Sequence, residues 1–140
     1  MNKTMVADFV INSSLYVYEN DDLLKVIEHM KKYNIDNISV VSEDFLLVSQ
    51  LKRENVKEYI KKNFFVFGNI FNSLKSIKVK DIIDKKTMPL VFYPETEAEQ
   101  AFSVMKYLNN KYAPVVKTPL DKKVIGFIWL NDKYKQAKRA

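Results

Sequence analysis

The side chains able to do chemistry are few. The 140 residues hold one histidine, His29, and no cysteine. Without cysteine there is no disulfide, thiolate zinc site, iron–sulfur ligation or thiol nucleophile. One histidine cannot build an intrachain His-rich metal site, and any Ser–His–Asp machine would rest on His29 alone. No serine or acid is placed to complete such a triad. His29 precedes Met30, off the apolar stripe of its helix, so it is expected to be exposed. The two glycines, Gly68 and Gly126, lie far apart, which excludes a glycine-rich phosphate loop of the P-loop or dinucleotide type. The carboxylates Asp21, Asp22, Glu95 and Glu97 stand where helices should start, and capping and the helix dipole account for them. No catalytic residue and no metal site is expected.

The charge is unevenly spread. Lys and Arg total 23 against 17 Asp and Glu, a net charge of +6. Residues 1–70 carry 9 basic and 10 acidic side chains, and residues 71–140 carry 14 and 7. A basic half suits nucleic acid, anionic lipid or a phosphorylated small molecule. Thirteen of its 14 cations are lysine, which favours a solvated surface. Lys133, Lys135, Lys138 and Arg139 read as a basic tail. No apolar signal region opens the chain, and no stretch approaches the ~20 apolar residues of a membrane helix. A cytoplasmic protein, with no membrane partner, is the expectation.

A repeat organises the chain. Val6-Ala-Asp8-Phe9-Val10 resembles Val79-Lys-Asp81-Ile82-Ile83, at an offset of 73. Val17-Tyr18, Met30-Lys31, Asn34 and Val40-Val41 match Phe92-Tyr93, Met105-Lys106, Asn109 and Val115-Val116, at an offset of 75. Ser49 and Asn55 meet Gly126 and Asp132 at an offset of 77. The offset grows in small steps, as loop insertions do, and one step fits the turn from Lys117 to Lys122.

Each copy has the same grammar of elements. A strand is expected near Leu15–Tyr18 and Leu90–Tyr93, with Tyr16 and Tyr18 on a half-buried surface. A helix follows. In the second copy Thr96 and Glu99 read as a capping box, before a stripe of Ala98, Ala101, Phe102, Met105 and Leu108. In the first copy Asn20 or Asp21 can cap a stripe of Leu23, Val26, Ile27 and Met30. Asn34 and Asn109-Asn110 end the two helices. Strands Ile38–Val41 with Leu46–Ser49, and Ala113–Val116 with Val124–Trp129, follow as hairpins. Last helices start near Lys52 or Arg53 and near Asn131 or Asp132. One copy of ~55 residues is marginal alone, so two should share a core. The aromatics Phe64, Phe65, Phe67 and Phe71 suggest that the join packs across the copies or against a second chain.

The pattern resembles the CBS-domain pair, or Bateman module. The second copy carries Ala113-Pro114-Val115-Val116 and Gly126-Phe127-Ile128-Trp129-Leu130-Asn131-Asp132. The first carries Ile38-Ser39-Val40-Val41 and Ser49-Gln50-Leu51-Lys52-Arg53-Glu54-Asn55. The resemblance implies an α+β fold, a tandem pair of β-α-β-β-α units related by a pseudo-twofold axis. Residues 1–62 would form the first unit, 63–77 an aromatic connector and 78–140 the second unit.

The resemblance further implies clefts that take an adenosine-type ligand, whether AMP, ADP, ATP or S-adenosylmethionine, and pairing into a homodimer. By place in the motif, Asp132 would grip ribose. Tyr112, Ala113 and Pro114 would frame the base, and Thr87, Met88 and Pro89 would lie beside it. The family's Thr/Ser position is Lys52 in one copy and Trp129 in the other, and its Asp position is Asn55 in the first. Lys52 suits a phosphate as a point charge. Asn55 suits a ribose less selectively than a carboxylate would. Trp129 suits stacking on a purine or filling the cleft. The expected function is a non-catalytic regulatory sensor that needs no cofactor and acts in trans on a protein partner. The alternatives are a structural or dimerisation pair with filled clefts and, with less support, a nucleic-acid-binding module. The absence of Arg-rich or helix-turn-helix signatures weighs against that last reading.

Overall fold

The structure is a computed structural model that describes residues 3–63, 70–84 and 89–130. Its elements alternate as the repeat requires. Strand β1 (Tyr16–Tyr18) leads to helix α1 (Leu23–Tyr33), strands β2 (Asn37–Val41) and β3 (Leu47–Lys52), and helix α2 (Arg53–Asn63). Helix α3 (Ile70–Ser76) follows, then α4 (Ala98–Tyr107) and the strands β4 (Tyr112–Val116) and β5 (Val124–Trp129). This is an α+β chain made of two similar parts.

The strand pairing repeats almost residue for residue. In one part β1 runs parallel to β2, with Val17 opposite Val40, and β2 runs antiparallel to β3. In the other, Phe92 bridges Val115 in parallel, and β4 runs antiparallel to β5. Both pairs of positions differ by 75. A register shift falls between Val40 and Val41, and again between Val115 and Val116. The expected strand Leu90–Tyr93 is thus reduced to a single bridged residue. Pro89 and Pro94 bound it, and neither has an N–H to give to a ladder.

Packing divides the chain differently from the sequence repeat. One compact unit is Ser14–Pro89, and the other joins Met1–Ser13 to Leu90–Ala140. The lead-in segment of each copy is what crosses over. A 3-10 turn at Val6–Phe9 docks on the turn before α4: Val6 N–H donates to Thr96 O (2.8 Å), Ala7 N–H to Pro94 O (3.0 Å), and Ala98 N–H to Thr4 O (2.9 Å). The 3-10 turn Val79–Asp81 docks on the turn before α1 in the same way. Val79 N–H donates to Asp21 O (2.9 Å), Lys80 N–H to Glu19 O (2.9 Å), and Leu23 N–H to Ile77 O (3.0 Å). Helices α1 and α4 therefore each have their first amide satisfied by a lead-in segment from outside their own copy.

The helix starts differ from expectation. Asp22, rather than Asn20 or Asp21, caps α1, its carboxylate accepting from Lys25 N–H at 2.9 Å. The capping box at Thr96 does not form. Glu97 is the N-cap of α4 and makes no side-chain cap. The Thr96 hydroxyl oxygen instead accepts from Tyr93 N–H (3.1 Å) and closes the turn, as the Asp21 carboxylate does with Tyr18 N–H (2.7 Å). The helix ends follow expectation: Asn34 and Asn109 adopt left-handed conformations, with φ of 51° and 57°. His29 is half-buried rather than exposed, because its ring leans toward Tyr33 and its Nδ1 lies 3.1 Å from Lys25 O.

Each unit has its own core. Leu15, Val17, Leu23, Val26, Ile38 and Val40 are fully buried in the Ser14–Pro89 unit. Val6, Ala98, Ala101, Met105, Val115 and Ile128 anchor the other, with Phe9 and Val10 of the lead-in segment packed against them. In the joining region, α3 packs on α1 and buries Leu74. Phe64, Phe65, Phe67 and the Phe71 side chain, on which the expected aromatic contacts fall, lie outside the described residues. Among the described residues no helix is long and apolar enough to cross a membrane.

Candidate functional site

In the Ser14–Pro89 unit, the strand–helix junction brings Lys52 and Asn55 together. Lys52 ends β3, opposite Asn37 in register, and is exposed. Asn55 is exposed in the first turn of α2. The backbone between them is pinned. Arg53 N–H donates to Asp36 O at 2.7 Å, and its guanidinium reaches Ile35 O at 2.9 Å and the Asp36 carboxylate at 3.3 Å. An ammonium therefore stands directly before a helix N-terminus, where the dipole and first-turn amides favour an anion.

The other unit repeats this junction. Leu130 N–H donates to Lys111 O at 2.7 Å, the counterpart of the Arg53 bond. Asp132 lies two residues further on, outside the described residues, as do Thr87, Met88 and the expected cap Asn131. Pro89 is described and half-buried, at the end of the first unit. Tyr112, Ala113 and Pro114 are all buried on β4. Trp129 is half-buried and stands opposite Tyr112 in register, their ring centroids 6.2 Å apart. Tyr112 also approaches Phe127, at 6.0 Å, so its ring touches two aromatic neighbours. The Pro114 carbonyl accepts from Phe92 N–H at 3.1 Å and is engaged within the sheet.

At the same register positions the two hairpins differ in chemistry, a contrast sequence reading did not single out. Where β4–β5 carries Tyr112, Pro114 and Phe127, β2–β3 carries Asn37, Ser39 and Gln50. Gln50 Nε2 donates to Asn37 Oδ1 at 2.6 Å, and both Asn37 and Ser39 are buried. Extending the Val40/Val115 match a few residues backward would have exposed it. A second group lies on β1, where Tyr16 and Tyr18 are half-buried as expected. Tyr16 meets Phe45 and Tyr18 edge-on, at 4.8 and 5.5 Å. Burial, then the neighbouring Tyr18 and the Asp21 charge, pushes the Tyr16 phenol above its usual value, so it stays neutral at physiological pH. Among the described residues no group of three or more His, Asp or Glu is placed to hold a metal ion.

Fold and repeat together define a class, a tandem module of two sheet–helix units with exchanged lead-in segments. Residues 6–62 match the CBS domain family. The chain as a whole has the fold of solved CBS-domain pairs. Among solved structures it resembles the putative acetoin utilization protein AcuB of Vibrio cholerae, at a TM-score of 0.70 and 12% identity over 99% of this chain and 93% of that one. It also resembles a CBS-domain pair solved with 5′-methylthioadenosine and S-adenosyl-L-methionine, at a TM-score of 0.65 and 15% identity over 99% and 98% of the two chains. A third similar structure is CBSX2 in complex with AMP, at a TM-score of 0.65 and 18% identity over 97% of each chain. No curated protein sequence matches the chain.

Proposed function

We propose that this CBS-domain pair is a regulatory, non-catalytic sensor of an adenosine-type ligand, AMP, ADP, ATP or S-adenosylmethionine, which works as a homodimer and acts in trans on a partner. The observation that carries the reading is the β3–α2 junction. There Lys52 and Asn55 stand exposed at a helix start, at the place where the family pattern closes on ribose and phosphate. Two of the similar folds were solved with AMP and with S-adenosylmethionine, which supports the ligand class. Asp132 is assigned the ribose in the second copy. Trp129, Tyr112, Ala113, Pro114, Thr87, Met88 and Pro89 are assigned the base.

The test is thermal unfolding of the whole chain with each of the four ligands. A ligand at 100 times its dissociation constant adds about 2.7 kcal/mol. No shift with any of them rejects the adenosine reading. Light scattering tests the homodimer, and a monomer across micromolar concentrations rejects it.

One observation favours a second reading. Tyr112 has Phe127 and Trp129 as ring neighbours, so two of the side chains assigned to the base already pack on each other. On that reading the pair is a structural or dimerisation module without a nucleotide. Unchanged unfolding with all four ligands, together with a stable dimer, selects it.

A further inference from the structure

In the β2–β3 hairpin, register puts four polar side chains on one face. Asn37 lies opposite Lys52, and Ser39 lies opposite Gln50. Alternate residues of a strand share a face, and so do residues directly opposite each other across a strand pair. The intervening Ile38, Val40 and Leu51 are buried on the other face.

One pair on the polar face is incompletely bonded. Asn37 is only 9% exposed, and its Oδ1 accepts from Gln50 Nε2 at 2.6 Å. Among the described residues Asn37 Nδ2 donates to no group, and Gln50 Oε1 accepts from none. A carboxamide can donate two hydrogens and accept two. Leaving a buried amide unpaired is costly, and native chains seldom do so without a use for it. The hairpin itself does not require these amides, since Tyr112 and Phe127 stand at the matching positions of the other copy.

Bonded to each other, the two amides leave one NH2 and one carbonyl unused. Such a donor and acceptor together are what a carboxamide uses to read adenine, donating to a ring nitrogen and accepting from the exocyclic amine. The place also suits a nucleotide. Gln50 and Lys52 are two residues apart on β3, roughly 7 Å, with Asn55 in the first turn beyond. A base held at Gln50 would direct its 5′-phosphate, across the ribose, toward the Lys52 ammonium.

We propose that Asn37 and Gln50 are the specificity pair of the first copy and read the amine-bearing edge of adenine, Asn37 Nδ2 donating to a ring nitrogen and Gln50 Oε1 accepting from the exocyclic amine. The proposal rests on the adenosine-type reading above and adds the side chains that select the base.

The experiment is calorimetric titration of the whole chain with AMP and with purine riboside 5′-monophosphate, which differs from AMP only in lacking the exocyclic amine. AMP should bind at least ~10-fold more tightly, a difference of ~1.4 kcal/mol. The double variant Asn37→Leu/Gln50→Met replaces the amides with apolar side chains of similar size. It should bind AMP ~10-fold more weakly than the parent and no longer distinguish the two nucleotides. Its thermal midpoint without ligand should be no lower than the parent's, because an unpaired buried amide has been removed. Equal affinity of the parent for both nucleotides overturns the proposal and leaves the adenosine reading standing. A preference that persists in the double variant, or a lower midpoint without ligand, also overturns it, the latter by making the pair a structural bond. Binding of neither nucleotide to the parent overturns the AMP reading and the proposal with it.

Discussion

Gly126 lies directly against the backbone of Ile11. A Cβ built on Gly126 would stand 2.8 Å from the Ile11 carbonyl oxygen and would overlap the Val10 side chain. The closeness follows from a bridge next door, in which Ile11 and Phe127 exchange hydrogen bonds of 2.8 and 3.0 Å. The glycine of the family-like motif thus has a packing role, because it lets the lead-in segment lie flat on β5.

Gly126→Ala should therefore force the lead-in segment off β5 and cost about 1–3 kcal/mol, the usual range for overpacking. Urea unfolding reads this as a lower midpoint. An unchanged midpoint would show that the segment yields freely. Ser49 occupies the matching position and bonds Asp84 O through its hydroxyl at 3.2 Å. Ser49→Ala should cost about 1 kcal/mol, the net worth of one hydrogen bond.

Asp21 and Thr96 close equivalent turns, so their alanine variants form a matched pair. A carboxylate acceptor at 2.7 Å should outweigh a hydroxyl at 3.1 Å. Asp21→Ala is expected to cost about 1.5–3 kcal/mol and Thr96→Ala about 0.5–1.5 kcal/mol. The order of the two denaturation midpoints checks it. Equal losses would contradict the assignment of Thr96 to the turn by removing the contrast on which it rests.

Lys52→Met should weaken a phosphate-bearing ligand by roughly tenfold, about 1.4 kcal/mol, while leaving adenosine itself nearly unaffected. Calorimetric titration with AMP and adenosine separates the two. Equal loss for both ligands would place Lys52 away from the phosphate.

Tyr16 sets an alkaline limit. Its phenol is raised in the folded chain, so the folded state holds its proton more tightly than the unfolded state. Its contribution is fully present below the ordinary tyrosine value of about 10. It is lost as pH climbs through the raised value. Tyr16→Phe should flatten that part of the stability–pH curve. A slope identical to the parent's would locate the alkaline loss elsewhere.

Much of this organisation is legible in the residues themselves. Periodicity and β-branching mark α1, β2, β4 and β5, because burying one face imposes spacings that local sequence must obey. The matches at Asn34/Asn109 and Val40/Val115 carry through to the same left-handed φ region and the same register shift, since a left-handed cap and a sheet pair are short-range features. Capping was less legible. Asp22 and Thr96 could be assigned only once the turn preceding each helix was known, because neighbouring acids and hydroxyls compete for the same few amides.

The sequence alone determined that there are two copies, that this chain has no thiol, no thiolate or His-rich metal site and no glycine-rich loop, and that Lys52 matches Trp129 and Asn55 matches Asp132. Tertiary structure decided which segment completes which unit. Residues 3–13 join a helix and hairpin some 90 residues away, through bonds such as Ala98 N–H to Thr4 O. No local pattern encodes such a choice. An orphan helix amide and an exposed strand edge accept any backbone of suitable shape, and only the folded chain brings one within reach. The same holds for a trough between α1 and α2, lined by Lys31 on one helix and, more than twenty residues further on, by Arg53 and Lys57 on the other.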